Sequence, residues 1–171
     1  MTSEISGTAE TASAPERRSE DGASQQARAA LRALAERYAV ALDLGDREGY
    51  LAVFTEDAVV AVHGPDGSPT QERRGAAEIV KEFDDLAGFD RVFHLVGGHV
   101  ADIAEDNGTA TAVVSAEAHH YSPSVDGDAT DLYCPVRYHD TCVRTGRGWR
   151  ISRREVFPLW YEARTVTAPR R

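Results

Sequence analysis

Hydrophobic positions along the chain follow two rhythms. Between residues 25 and 44 they recur with the helical period. Leu31, Leu34, Ala35, Tyr38, Ala39 and Leu42 fall on one face. Gly45 is placed to end that helix. Asp46 can cap a short second one, with Tyr50, Leu51 and Phe54 turned inward. Asp57–His63 is rich in β-branched residues and predicts a strand, and the Gly/Pro-rich segment 64–69 predicts a turn. A third helix is predicted over Ala76–Leu86, with Ile79, Val80, Phe83 and Leu86 as its apolar stripe. Beyond Gly88 the period drops to two. Extended segments are predicted at Arg91–Ile103, Thr109–Tyr121, Leu132–Arg144 and Trp149–Trp160, with turn-forming clusters at 105–108, 122–128 and 145–148. Gly97-Gly98 falls inside the first of these and predicts a bulge or kink.

Helices first and long strands after imply an α+β fold. A curved antiparallel sheet wrapped around N-terminal helices as a cone-shaped barrel leaves a cavity between the layers, where small ligands bind. The expected organisation is one domain over residues 25–165, with tails at 1–24 and 166–171. Residues 1–24 contain one large aliphatic, Ile5, too little apolar surface to offset the entropy of ordering.

Charge narrows the range of partners. The 171 residues carry a formal net charge of −9. Such a chain gains little from counterion release, so nucleic acid is not an expected partner, and anionic membranes repel it. There is no apolar run of about 20 residues and no apolar leader segment, so a cytoplasmic location is expected. Cys134 and Cys142 fall on one predicted strand, roughly 26 Å apart at about 3.3 Å per residue, which excludes a disulfide between them. Self-association as a dimer or trimer is expected, because the convex face of such a sheet needs cover.

Three residues stand out as candidate chemistry. Asp43 flanks the apolar stripe at the end of the first helix. His94 shares a strand face with Val92 and Val96. His119 shares one with Val113, Ser115 and Glu117, while His120 points the other way. Histidine titrates near working pH, and a carboxylate on one ring nitrogen fixes the tautomer of the other, which makes a general base. The expected arrangement is an Asp43–His119 pair facing His94. The six histidines form no HExxH pattern and no Cys/His pair at zinc spacing, so neither a metal nor another cofactor is expected. No phosphate-binding glycine loop and no nucleophile elbow occur.

These residues also carry a resemblance. Tyr38-x4-Asp43-x2-Asp46, Phe54-Thr-Glu-Asp-Ala, His94-Leu-Val-Gly-Gly and Trp149-Arg-Ile resemble the nuclear transport factor 2-like superfamily over roughly residues 28–162. The nearest likeness is to its SnoaL-like branch, which includes scytalone dehydratase and polyketide cyclases. The 25-residue interval from His94 to His119 is its most specific feature. The resemblance implies proton removal beside a carbonyl with loss of water. It makes His119 the base, Asp43 its orienter and His94 a hydrogen-bond donor, with Tyr38 an aromatic pocket residue. The two tyrosines that polarise the carbonyl in scytalone dehydratase align with Leu42 and Val62, and a pocket serine and asparagine with Val136 and Tyr138. The histidine–carboxylate core is therefore retained and the substrate apparatus is not. Tyr38, Tyr50, Phe54, Val62, Val136 and Tyr138 are the expected substrate-binding set.

The leading expectation is a cofactor-independent lyase, isomerase or cyclase acting on a small apolar carbonyl compound such as a polyketide-type intermediate. Two alternatives stand beside it. One is a non-catalytic ligand-binding or accessory subunit. The other is an epoxide-opening cyclase or hydrolase in which Asp43 or Glu117 activates water.

Overall fold

The computed structural model describes residues 22–104, 106, 108–124 and 128–167. Helix α1 (Gly22–Leu44) is followed by α2 (Arg47–Ala52), β1 (Phe54–His63), β2 (Pro69–Arg74) and α3 (Ala76–Asp85). A single 3₁₀ turn (Leu86–Gly88) then leads into β3 (Arg91–Ile103), β4 (Thr109–Pro123), β5 (Asp128–Thr145), β6 (Gly148–Pro158) and β7 (Glu162–Thr167). The strands form one open sheet in the order β2-β1-β6-β5-β4-β3, with β7 paired to β5. All pairings are antiparallel except β1–β6. The α+β class follows as expected; the sheet stays open, with β2 and β3 as its edges.

The elements expected from hydrophobic period are present, and two were not foreseen. Strand β2 is exposed along nearly its whole length. Its Gln-Glu-Arg-Arg run has no apolar alternation to betray it. Strand β7 is short and half exposed, and pairs with the first residues of β5. The helix also starts earlier than expected, so residues 22–24 of the anticipated tail are helical and only 1–21 lie outside the described residues. At the other end, 166 and 167 belong to β7, and 168–171 lie outside.

The termination of α1 matters for the site. Gly45 adopts φ +66°, its N–H donates to the Leu42 carbonyl (3.2 Å), and the Asp46 N–H reaches the Ala41 carbonyl (2.8 Å). This left-handed Schellman ending needs a residue without a Cβ penalty. Asp46 then caps α2 by accepting from the Gly49 N–H (2.9 Å). Asp43 is thereby held on the last turn of α1.

The core lies between α1 and the inner face of the sheet. Leu31, Leu34, Ala35, Tyr38 and Leu42 pack there with Ile79, Val136, Tyr138 and Ile151. Along β4 the inner face is Ala110, Ala112, Val114, Ala116 and Ala118, all buried. Small side chains at these positions leave room for the helix layer. The outer face carries Phe93, Leu95, Val100 and Val113 in solvent. Both cysteines are buried, unpaired thiols on β5.

Two bulges change which residues point inward. One lies between Val96 and His99, at the predicted Gly97-Gly98. The other lies on β6, where Cys142 pairs with Ile151 but Thr141 pairs with Arg153, leaving Ser152 as the extra residue. Trp149 and Ile151 are buried before it, Arg154 and Val156 after it.

Candidate active site

The end of α1 lies against the first half of β3, and there a carboxylate meets an imidazole. One Asp43 oxygen accepts from the His94 ring nitrogen Nδ1 (2.8 Å), the other from the His94 backbone N–H (3.0 Å). A carboxylate only accepts, so Nδ1 carries the proton and the Nε2 lone pair is left free in the neutral ring. The His94 side chain is 6% exposed and that of Asp43 20%, so the pair is largely withdrawn from water.

The other ring beside His94 is His120. The two stand edge to face with centroids 5.9 Å apart, and Phe89 packs on the far side of His120 (4.8 Å). His120 Nδ1 donates to the Leu132 carbonyl (3.2 Å). Burial pulls the His120 pKa below its ordinary value, with the neighbouring His94 adding to that effect and the Leu132 contact opposing it. A cavity of about 290 Å³ opens beside Asp43, walled by Phe83, Leu86, Phe89 and Val92. Asp43, Asp90 and Arg91 join these apolar walls in its lining.

His119 is elsewhere. Cross-strand partners share a face, and the β3–β4 register pairs Phe93 with His119 and His94 with Ala118. A 25-residue interval therefore places the two histidines on opposite faces. His119 lies outside, with Nδ1 donating to Asp131 (2.8 Å) and its ring 5.0 Å from that of Tyr133. The expected Asp43–His119 pair is not formed; Asp43 holds His94, and the imidazole beside that of His94 is His120. Glu117 is also on the outer face, exposed.

The residues expected to bind substrate are brought together, though deeper than the cavity wall. The Tyr38 ring is 5.5 Å from Tyr50, 5.8 Å from Tyr138 and 6.1 Å from Phe54. Val136 is buried in the same cluster and Val62 packs against it half-buried.

Sequence reasoning missed the buried charges beside these rings. Arg154 is 1% exposed and makes a double hydrogen bond to Asp140, Nε to Oδ1 (2.8 Å) and Nη2 to Oδ2 (2.7 Å). Its guanidinium lies over the Tyr38 ring (4.1 Å) and the Tyr138 ring (4.3 Å). Its Nη1 finds no hydrogen-bond partner among the described residues. The one available signal was alternation from Trp149 and Ile151, which points Arg153 inward. The Ser152 bulge turns Arg154 in instead.

Glu82 of α3 reaches the Tyr50 hydroxyl (3.4 Å). Burial raises the pKa of its carboxyl, while Arg154 and Arg73 pull it down. Between its unfolded and folded values the native state holds a proton that the unfolded state lacks. This contribution to stability is full below the unfolded pKa and lost as pH rises through the folded one. Glu82→Gln removes that loss. The variant should gain stability over the natural protein at about pH 8 and show little gain at about pH 4, read from urea midpoints. An equal difference at both pH values would contradict the assignment.

Comparison with known proteins shows the family and the fold. The SnoaL-like domain matches residues 23–155. No curated protein sequence matches the chain. Among solved structures, a provisionally named aromatic ring hydroxylase from Novosphingobium aromaticivorans is 25% identical, with TM-score 0.67 over 83% of this chain and 94% of its own. A provisionally named scytalone dehydratase from the same species is 21% identical, with TM-score 0.67 over 87% of this chain and 92% of its own. The hexachlorocyclohexane dehydrochlorinase LinA type 2 is 11% identical, with TM-score 0.69 over 82% and 90%. The last two show the shared fold. With the family domain covering most of its length, this chain belongs to the SnoaL-like family of the nuclear transport factor 2-like superfamily.

Proposed function

We propose that the protein is a cofactor-independent lyase or isomerase that removes a proton from a small, largely apolar substrate, with His94 Nε2 as the base. The carrying observation is that both oxygens of Asp43 are committed to His94, one to the ring and one to the backbone. That double contact fixes the position and tautomer of the imidazole together. The cavity beside Asp43 has Phe83, Leu86, Phe89 and Val92 to receive an apolar body, and its volume is close to the lower bound of about 300 Å³ for ligand pockets. Two structures that share the fold are named for eliminations, a dehydratase and a dehydrochlorinase. A carbonyl compound of polyketide type fits this reading, because a carbonyl makes the neighbouring C–H acidic enough for an imidazole.

The test is solvent deuterium exchange into small β-hydroxy ketones, followed by NMR with the natural protein and with His94→Ala. Exchange or water loss that depends on His94 supports the proposal. If the two proteins behave identically across the set, the lyase reading fails and a non-catalytic binding subunit is the better account.

A further inference from the structure

A second concavity lies on the other side of α1 from His94. This groove, of about 820 Å³, runs between the outward face of α1, the start of α2 and the β5–β6 hairpin. Arg37, Arg144, Arg147 and Arg150 all line it. Among the described residues none of the four takes part in an ion pair.

The acids on the same walls are already committed. Glu36 pairs with Arg32 (2.9 Å), and Asp46 caps α2. Among the described residues the only hydrogen bond of the Arg150 side chain runs from Nη1 to the adjoining Trp149 carbonyl (2.8 Å). The like charges of Arg37 and Arg147 bear on Arg150 in addition to its partial burial. On a chain of net charge −9, four unpaired guanidinium groups around one groove are an unfavourable concentration that an anion would relieve. The groove also has an apolar part, beside Gln26, Glu36 and Asp46. Val40 is 53% exposed and Leu44 77% exposed, and a row of α1 alanines forms the floor.

We propose that this groove binds a soluble organic phosphate, with the arginines of the β5–β6 hairpin on the phosphate and Val40 and Leu44 under an apolar body. Guanidinium groups match phosphate oxygens in pairs, and several of them together favour a multiply charged headgroup over a single carboxylate. The groove volume suits a ligand of ordinary small-molecule size. The groove meets the cavity beside Asp43 at Leu44 but is lined by neither Asp43 nor His94, so the proposal stands apart from the lyase reading.

Trp149 lines the groove and the other tryptophan, Trp160, is exposed, so Trp160→Phe leaves a single fluorescent reporter at the site. The probe is geranyl diphosphate, titrated into full-length protein by fluorescence and calorimetry. Saturable binding is expected, about tenfold tighter than inorganic diphosphate alone. Arg144→Gln with Arg147→Gln, both exposed in the hairpin and so harmless to folding, should weaken it at least about tenfold. The proposal is overturned by any of three results. These are no saturation at millimolar probe, unchanged affinity in the double variant, or equal affinity for geraniol, which lacks the phosphates. Binding to phosphatidic acid vesicles without binding to the soluble probe would also overturn it, in favour of a membrane surface.

Discussion

Replacing Asp140 by alanine is expected to cost about 3–5 kcal/mol of folding stability, the usual penalty for leaving one member of a buried ion pair alone. The side chains of Arg154 and Asp140 are 1% and 4% exposed. Burial works against the charge on Arg154, and Asp140 more than offsets it. With the carboxylate gone, the guanidinium keeps its place between two tyrosine rings but loses both of its hydrogen bonds to protein oxygen. Water cannot reach it without opening the core. A domain of this kind has about 5–15 kcal/mol in total, so the loss is a large share of it. Urea denaturation should show a lower midpoint with an unchanged slope. The paired replacement Asp140→Leu with Arg154→Met should recover most of the deficit, since neither charge then remains to be solvated. A single-variant loss below about 1 kcal/mol would mean that water already reaches the pair.

The second large effect concerns turnover. His94→Ala should lower kcat/KM by about 10²–10⁴-fold, the range contributed by a positioned general base. Asp43→Asn should approach that loss while leaving the fold intact, for a specific reason. Asp43 accepts two hydrogen bonds, from the His94 ring and from its backbone N–H. An amide offers one acceptor and one donor. If its oxygen keeps the backbone N–H, its NH₂ faces Nδ1 and drives the ring proton to Nε2, which removes the lone pair that would do the work. Nitrogen-15 shifts of the His94 ring report this change of tautomer directly, independent of any substrate. His119→Ala, on the outer face, should change turnover less than about threefold. If His119→Ala is the inactive variant and His94→Ala the active one, the base has been assigned to the wrong histidine.

That contrast shows where sequence reading worked and where it stopped. Periodicity placed His94 with Val92 and Val96, and His119 opposite to His120; both groupings hold in the structure. It could not say which face of the second strand is the inside. The resemblance, through the 25-residue interval, drew the reading to His119, whereas the true inner face is Ala110, Ala112, Val114, Ala116 and Ala118, small side chains that local alternation does not mark as core. The partner of Asp43 was beyond local pattern as well. His94 lies 51 residues away and reaches it only through the pairing of helix end and sheet edge.

Alternation and helical period are written residue by residue, because side-chain direction follows from backbone conformation alone. The amphipathic α1, the strand positions, the glycine stop at 45 and the kink at Gly97-Gly98 were therefore legible in the sequence. Strand phase is settled differently. One extra residue at Ser152 reverses every later side chain of β6 and brings Arg154 rather than Arg153 into the core. Only the tertiary structure decides such parity, and with it which acid meets which base, because register is set by the neighbouring strand and by the volume between the layers.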